Sequence, residues 1–193
     1  MIEEAKEAKA VEGLLYAPDQ GWMCSVTADG VFRFWDVGNL HFMFKTRAGH
    51  YNVDSITACC ISPDCSRIGT ADAGGNMKLW DVENVTIHDR DASNVEELYF
   101  LNIHNGAVNS VDIFLPDDHE EMYFTSSGND KYVKLFKIDG TYIGHFGSGN
   151  RWVLSQIGSK DIRSEAVKPP LYISHKAKGF HRQEDMNEDD PAS

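Results

Sequence analysis

Met77-Lys78-Leu79-Trp80-Asp81-Val82 is the stretch whose reading decides the fold. Apolar and polar residues alternate along it, as in a strand whose successive side chains point to opposite faces. A glycine pair, Gly74-Gly75, precedes it as a turn. Forty-five residues earlier the pattern stands again, in Phe32-Arg33-Phe34-Trp35-Asp36-Val37 after Asp29-Gly30. A third, degenerate copy reads Tyr132-Val133-Lys134-Leu135-Phe136-Lys137-Ile138, after Asn129-Asp130. A strand-built repeat of this length cannot bury its faces alone and stacks on its neighbours. Such arrays are commonly surfaces for holding partners.

Each copy closes the third of four predicted strands. In the first unit these are Leu14 to Ala17 with a Pro18-Asp19 turn, Trp22 to Thr27, Val31 to Val37 and Leu40 to Phe44. Gly49-His50 opens the second unit, which runs through Ile56 to Ile61, Arg67 to Ala71, Asn76 to Val82 and Leu98 to Leu101. The third has His104, then Val108 to Ile113, Met122 to Ser126, Tyr132 to Ile138 and Thr141 to Phe146. The third repeat is longer, with 56 residues between Trp80 and Phe136. The excess lies in Glu83 to Glu97 and Pro116 to Glu121, two polar stretches that read as surface loops. The expected division is a polar extension over 1–10, repeats over 11–158 and a tail over 159–193. Within the repeats the units span about 11–48, 49–103 and 104–147, with Trp152-Val153-Leu154 packing back on the last. The charged stretch from Lys168 to Ser193 reads as flexible.

The formal net charge is −12 on 193 residues, with 41% hydrophobic and 11% aromatic residues. A core of ordinary composition is affordable at this length. The negative charge argues against nucleic acid and anionic membranes as partners, since both are themselves negative. No apolar run approaches the ~20 residues of a membrane span. The charged start, Met1 to Ala10, lacks the apolar centre of a secretory signal. The expected location is therefore cytoplasmic, where Cys24, Cys59, Cys60 and Cys65 stay reduced and the Asn84-Val85-Thr86 sequon carries no glycan.

A period of about 40–45 residues with a Trp-Asp ending resembles the WD40 repeat, the blade of a β-propeller. The resemblance covers roughly Val11 to Phe146. It implies an all-β fold of three four-stranded WD40-type blades and a structural set of His, Ser or Thr, Asp and Trp in each. Carried over by position, the first unit has Thr27, Asp29 and Trp35, with Asp36 ending the motif and no His before Leu14. The second has His50, Trp80 and Asp81, with Asp72 at the hydroxyl position and Gly74 at the Asp position. The third has His104 and Asp130, with Gly128 and Phe136 replacing the hydroxyl residue and the Trp. Phe136 has no N–H to donate. Gly140 to Gly147 with Trp152-Val153-Leu154 is similar to the C-terminal end of EF-hand-bearing WD-repeat proteins of cilia and sperm. That likeness offers cilium or flagellum as a second location and an axonemal component as a second role. No EF-hand loop is present in the sequence, so calcium does not carry over.

Other chemistry is disfavoured. Adjacent Cys59 and Cys60 in a strand point to opposite faces, which suits packing better than one zinc ion. The sequence has no Gly-x-Ser-x-Gly elbow and no phosphate loop or dinucleotide fingerprint. The Lys131 to Lys137 stretch reads as a strand with lysines outward, and Glu184 to Asp190 as a solvating tail. Propellers close with ~4–8 blades, so three form an incomplete ring. The chain is then the terminal portion of a longer propeller, or another chain completes the ring. The expected function is a non-catalytic protein–protein interaction scaffold without metal or cofactor. A rim enzyme is the rival reading, which converging acids or histidines would support.

Overall fold

The computed structural model describes residues 10–47, 49–50, 55–117 and 119–146. Expectations for residues 1–9 and 147–193, including the polar extension, the Trp152 contact and the acidic tail, lie outside the described residues. Twelve strands form three antiparallel sheets of four. Blade 1 holds β1 (Val11–Ala17), β2 (Trp22–Thr27), β3 (Val31–Asp36) and β4 (His41–Arg47). Blade 2 holds β5 (Ile56–Ile61), β6 (Arg67–Asp72), β7 (Asn76–Asp81) and β8 (Glu96–Asn102). Blade 3 holds β9 (Val108–Phe114), β10 (Tyr123–Gly128), β11 (Val133–Lys137) and β12 (Tyr142–His145). Each blade is a meander whose order in space is its order in sequence. The first strands β1, β5 and β9 lie side by side, so they line the inside of an arc that does not close.

The core lies between blades. Alternation gives every blade two faces, one carrying Trp35, Trp80 or Phe136 (the tryptophan face) and one opposite (the back face). Leu15, Trp22, Cys24, Val26, Phe32, Phe34 and Phe44 on the back of blade 1 pack with Ile56, Ile68 and Trp80 on the front of blade 2. Phe32 meets the Trp80 ring edge-on at 5.5 Å across this seam. Ala71, Met77, Leu79 and Leu101 behind blade 2 pack with Val108, Val111, Ile113, Phe124 and Phe136. Each large side chain taken out of water here contributes about 1.5–3 kcal/mol.

Two expectations are corrected. Lys134 is not outward: it is buried, while Val133 beside it is exposed. Lys134 shares the Phe136 face, which packs against blade 2, so it is buried there while Val133 on the opposite face is not. The lysine is satisfied by donating to the Ile103 carbonyl at 2.7 Å and lying 3.5 Å from Asp130. Nor is Glu83 to Glu97 only a surface loop. It folds back over blade 1, with Val85 fully buried and Ile87, Ala92 and Val95 packed on the same core. The Trp22 indole donates to the Val85 carbonyl at 3.1 Å. One 3₁₀ turn, Ala92–Asn94, capped by Asp91, shapes this strap.

Candidate interaction faces and the polar clamps behind them

In blade 2, four side chains form one relay. The Trp80 indole donates to Thr70 Oγ1 at 3.0 Å. Thr70 lies 3.0 Å from His50 Nε2, and His50 Nδ1 lies 2.6 Å from Asp72. A carboxylate only accepts, so Nδ1 carries the proton and Nε2 accepts from the threonine hydroxyl. Burial alone would raise the Asp72 pKa, but His50 and the Asn76 amides hold it below the usual carboxylate range. The relay pins the loop entering blade 2 to the turn after β6. Lys78, buried on the same face, reinforces it by donating to the Gly49 carbonyl at 3.0 Å.

Blade 3 repeats the device without the indole. His104 Nε2 lies 2.9 Å from Ser126 and Nδ1 lies 2.8 Å from Asp130. Asp130 also accepts from the Asn105 and Tyr132 amides, which outweigh burial and lower its pKa. Burial pushes the His104 pKa down, against the pull of Asp130. Phe136 takes the indole's place by stacking on Phe124 at 4.7 Å.

Blade 1 has no histidine in its set. Trp35 donates to Ser25 Oγ at 3.2 Å. Thr27 donates to Asp29 at 2.7 Å, and Arg33 reaches Thr27 at 3.4 Å. Asp36 and Asp81 join none of these clusters. Asp36 accepts from the Gly38 and Asn39 amides, and Asp81 accepts from the Glu83 amide and pairs with Arg67 at 3.1 Å.

The hydroxyl positions therefore differ from those carried over in sequence. Ser25, Thr70 and Ser126 bear them, each ten residues before its Trp or Phe, not Thr27, Asp72 and Gly128. Asp72 is the carboxylate of blade 2 and makes Gly74 no loss. Gly128 is needed for another reason: a Cβ there would lie 2.5 Å from the His104 ring. Blade 2 is a complete set of four side chains, where the sequence reading had every unit incomplete. The signal that could have found this is the constant ten-residue spacing.

The three tryptophan faces share a register, set by the strand pairs Val11↔Thr27, Leu14↔Ser25 and Tyr16↔Met23 in blade 1. Their counterparts are Ile56, Cys59 and Ile61 in blade 2 and Val108, Val111 and Ile113 in blade 3. In blade 3 these are 0%, 6% and 3% exposed; in blade 1 they are 58%, 64% and 53%. Phe42, beside Trp35 on the same face, is exposed too. Blade 1 thus presents the kind of face that its neighbours cover. On the back of blade 3, Tyr123, Leu135 and Ile143 form a small buried cluster with Phe114, and Val133 remains exposed.

The thiols offer little nucleophilic chemistry. All four cysteines are free. Burial pushes Cys59 up to about 11 and raises Cys24 and Cys60 further. Among the described residues no group of three or more His, Cys, Asp or Glu is placed to hold a metal ion. No helix among them is long and apolar enough to cross a membrane.

A three-bladed arc with its polar clamps turned inward is a propeller-type fold. Residues 43–81 and 95–137 match the family model described as WD domain, G-beta repeat. The rat Telomerase protein component 1 is 31% identical over 115 residues, 59% of this chain and 4% of that protein. Protein hir-1 of Neurospora crassa is 28% identical over 52% of this chain and 9% of its own length. WD repeat and SOCS box-containing protein 1 of Xenopus tropicalis is 32% identical over 41% of this chain and 18% of its own. The chain therefore spans only a small part of the relatives it matches. The crystal structure of RRP9 WD40 repeats superposes with a TM-score of 0.55 at 18% identity, covering 71% of this chain and 38% of that one. The structure of U3-55K gives the same score. At this identity the likeness shows the fold alone. No ciliary or sperm protein is among the relatives named here.

Proposed function

We propose that this protein is a non-catalytic protein–protein interaction scaffold whose three WD40 blades supply part of a larger propeller. The observation that carries the reading is the blade 1 face, apolar and open where the same positions are half-buried or buried in blade 2 and buried in blade 3. The chemistry-bearing side chains fit a scaffold as well. His50, His104, Asp72 and Asp130 are spent on holding turns, and they point between blades rather than to one rim. What faces outward are turns and loops, the usual contact surfaces of a repeat array. Its partners are other proteins, with neither nucleic acid nor membrane among them, and its location is cytoplasmic. The ciliary alternative rests only on the sequence of the C-terminal stretch.

Lysine-directed cross-linking in cells, read by mass spectrometry, tests this. Lys45, Lys131 and Lys137, which reach the surface, are expected to link to other polypeptides. Links confined to the chain itself would overturn the reading.

A further inference from the structure

The blade 1 front is not only open; it is also basic. Residues directly opposite in an antiparallel pair share a face. Arg33 stands opposite Lys45, and Val31 opposite Arg47, so three cations share the face of Trp35. Lys45 and Arg47 are exposed and Arg33 is half-buried. Val11, Leu14, Tyr16 and Phe42 lie exposed on the same face, and none of its paired positions is a carboxylate. The two internal seams are built otherwise. Each has a single lysine at the place of Arg33, and both lysines are buried. Lys78 donates to the Gly49 carbonyl and Glu97; Lys134 donates to the Ile103 carbonyl and lies beside Asp130. Phe100 and Asn102 stand in blade 2 where blade 1 has Lys45 and Arg47. An occupant that satisfies the blade 1 front therefore brings several carboxylates along with apolar side chains.

We infer that this occupant is the chain's own acidic run, Glu184-Asp185-Met186-Asn187-Glu188-Asp189-Asp190, docked on the blade 1 front. The run carries five carboxylates and no cation, and Met186 within it and Phe180 just before it supply apolar side chains. In a chain of net charge −12, a face with three cations attracts the densest acid within reach. Glu184 comes 38 residues after Phe146, a length that spans up to about 125 Å when extended. A domain of this size has a radius of gyration of about 15 Å, so reach does not limit the contact. Exposed ion pairs are weak and screened by salt, so the contact is reversible. The inference goes beyond the scaffold reading: the run is a cover that a partner or a further blade displaces.

Carbodiimide joins a carboxylate to an amine in contact with it. Applied to the purified full chain, with isotope-labelled and unlabelled copies mixed, it separates links within a chain from links between chains. The expected product joins Lys45 to the 184–190 run of its own chain, with the yield lost in molar salt. Arg33→Gln with Arg47→Gln leaves Lys45 in place and should keep the strand spectrum of the wild type. It should lower that yield at least about threefold. Lys45 joined only to other carboxylates, a run joined equally to Lys131 and Lys137, links between chains alone, or a yield indifferent to the two arginines would each overturn the inference. Links to other polypeptides in cells decide the scaffold reading separately, so either can fail without the other.

Discussion

Blades 1 and 2 share a strand plan, a Trp-Asp ending and a hydroxyl ten residues before the tryptophan, yet they are stabilised differently. In blade 2 the indole, hydroxyl, imidazole and carboxylate sit in series behind a buried face. In blade 1 the indole stops at Ser25, and Arg33 and Thr27 form a separate local pair. The difference teaches that the repeat tolerates loss of its histidine where the face has no neighbouring blade within the chain. The polar relay belongs to a seam between blades more than to the blade itself.

Truncating the two tryptophans is the strongest way to break this comparison. Trp80→Ala should cost about 3–5 kcal/mol, because it empties a filled seam. Trp35, half-buried on the open face, should cost no more than about 2 kcal/mol. Urea unfolding of both variants reads the gap, and equal losses would refute the asymmetry. Next in size, Thr70→Val leaves the indole N–H and the imidazole Nε2 without a partner and should cost about 1–3 kcal/mol. Ser25→Ala strands only an indole on a half-open face and should cost about 1 kcal/mol or less.

Acid sharpens the contrast further. His104 has its pKa lowered by burial, so its contribution is present above the ordinary value of about 6.5 and is lost as pH falls through the folded value. Asp72 and Asp130 also have lowered values, so theirs is present above about 4 and lost at still lower pH. Stability should therefore decline from neutral pH downward, in two stages. His104→Gln should remove the upper stage, as thermal midpoints across pH would show. The smallest effect is expected at the exposed Lys137–Glu121 pair: Glu121→Ala should change stability by no more than about 0.5 kcal/mol.

The strands were legible because alternation and Gly, Asn or Asp turns recur in all three units. Trp35, Trp80, His50, His104 and Asp130 could be singled out by repeat position alone. The hydroxyls could not be placed by counting back from the turn glycine, because blade 2 puts its carboxylate on the strand end at Asp72 rather than in the turn. Buried Lys78 and Lys134 were hidden because a lysine in an alternating strand reads as outward. A backbone carbonyl from a distant loop, with Glu97 beside Lys78 and Asp130 beside Lys134, makes burial tolerable. The strap was masked by its polar composition, though Val85, Ile87 and Val95 stand out in it as apolar positions without periodicity.

The strap also sets an order on synthesis. The carbonyl that receives the Trp22 indole is made 63 residues after it. A nascent chain that has released the whole first sheet from the ribosome still lacks its lid. The N-terminal wedge must wait, with a large aromatic uncovered, until most of the second has been translated. A pause or a premature stop between those two points would leave a product that chaperones and proteases meet first.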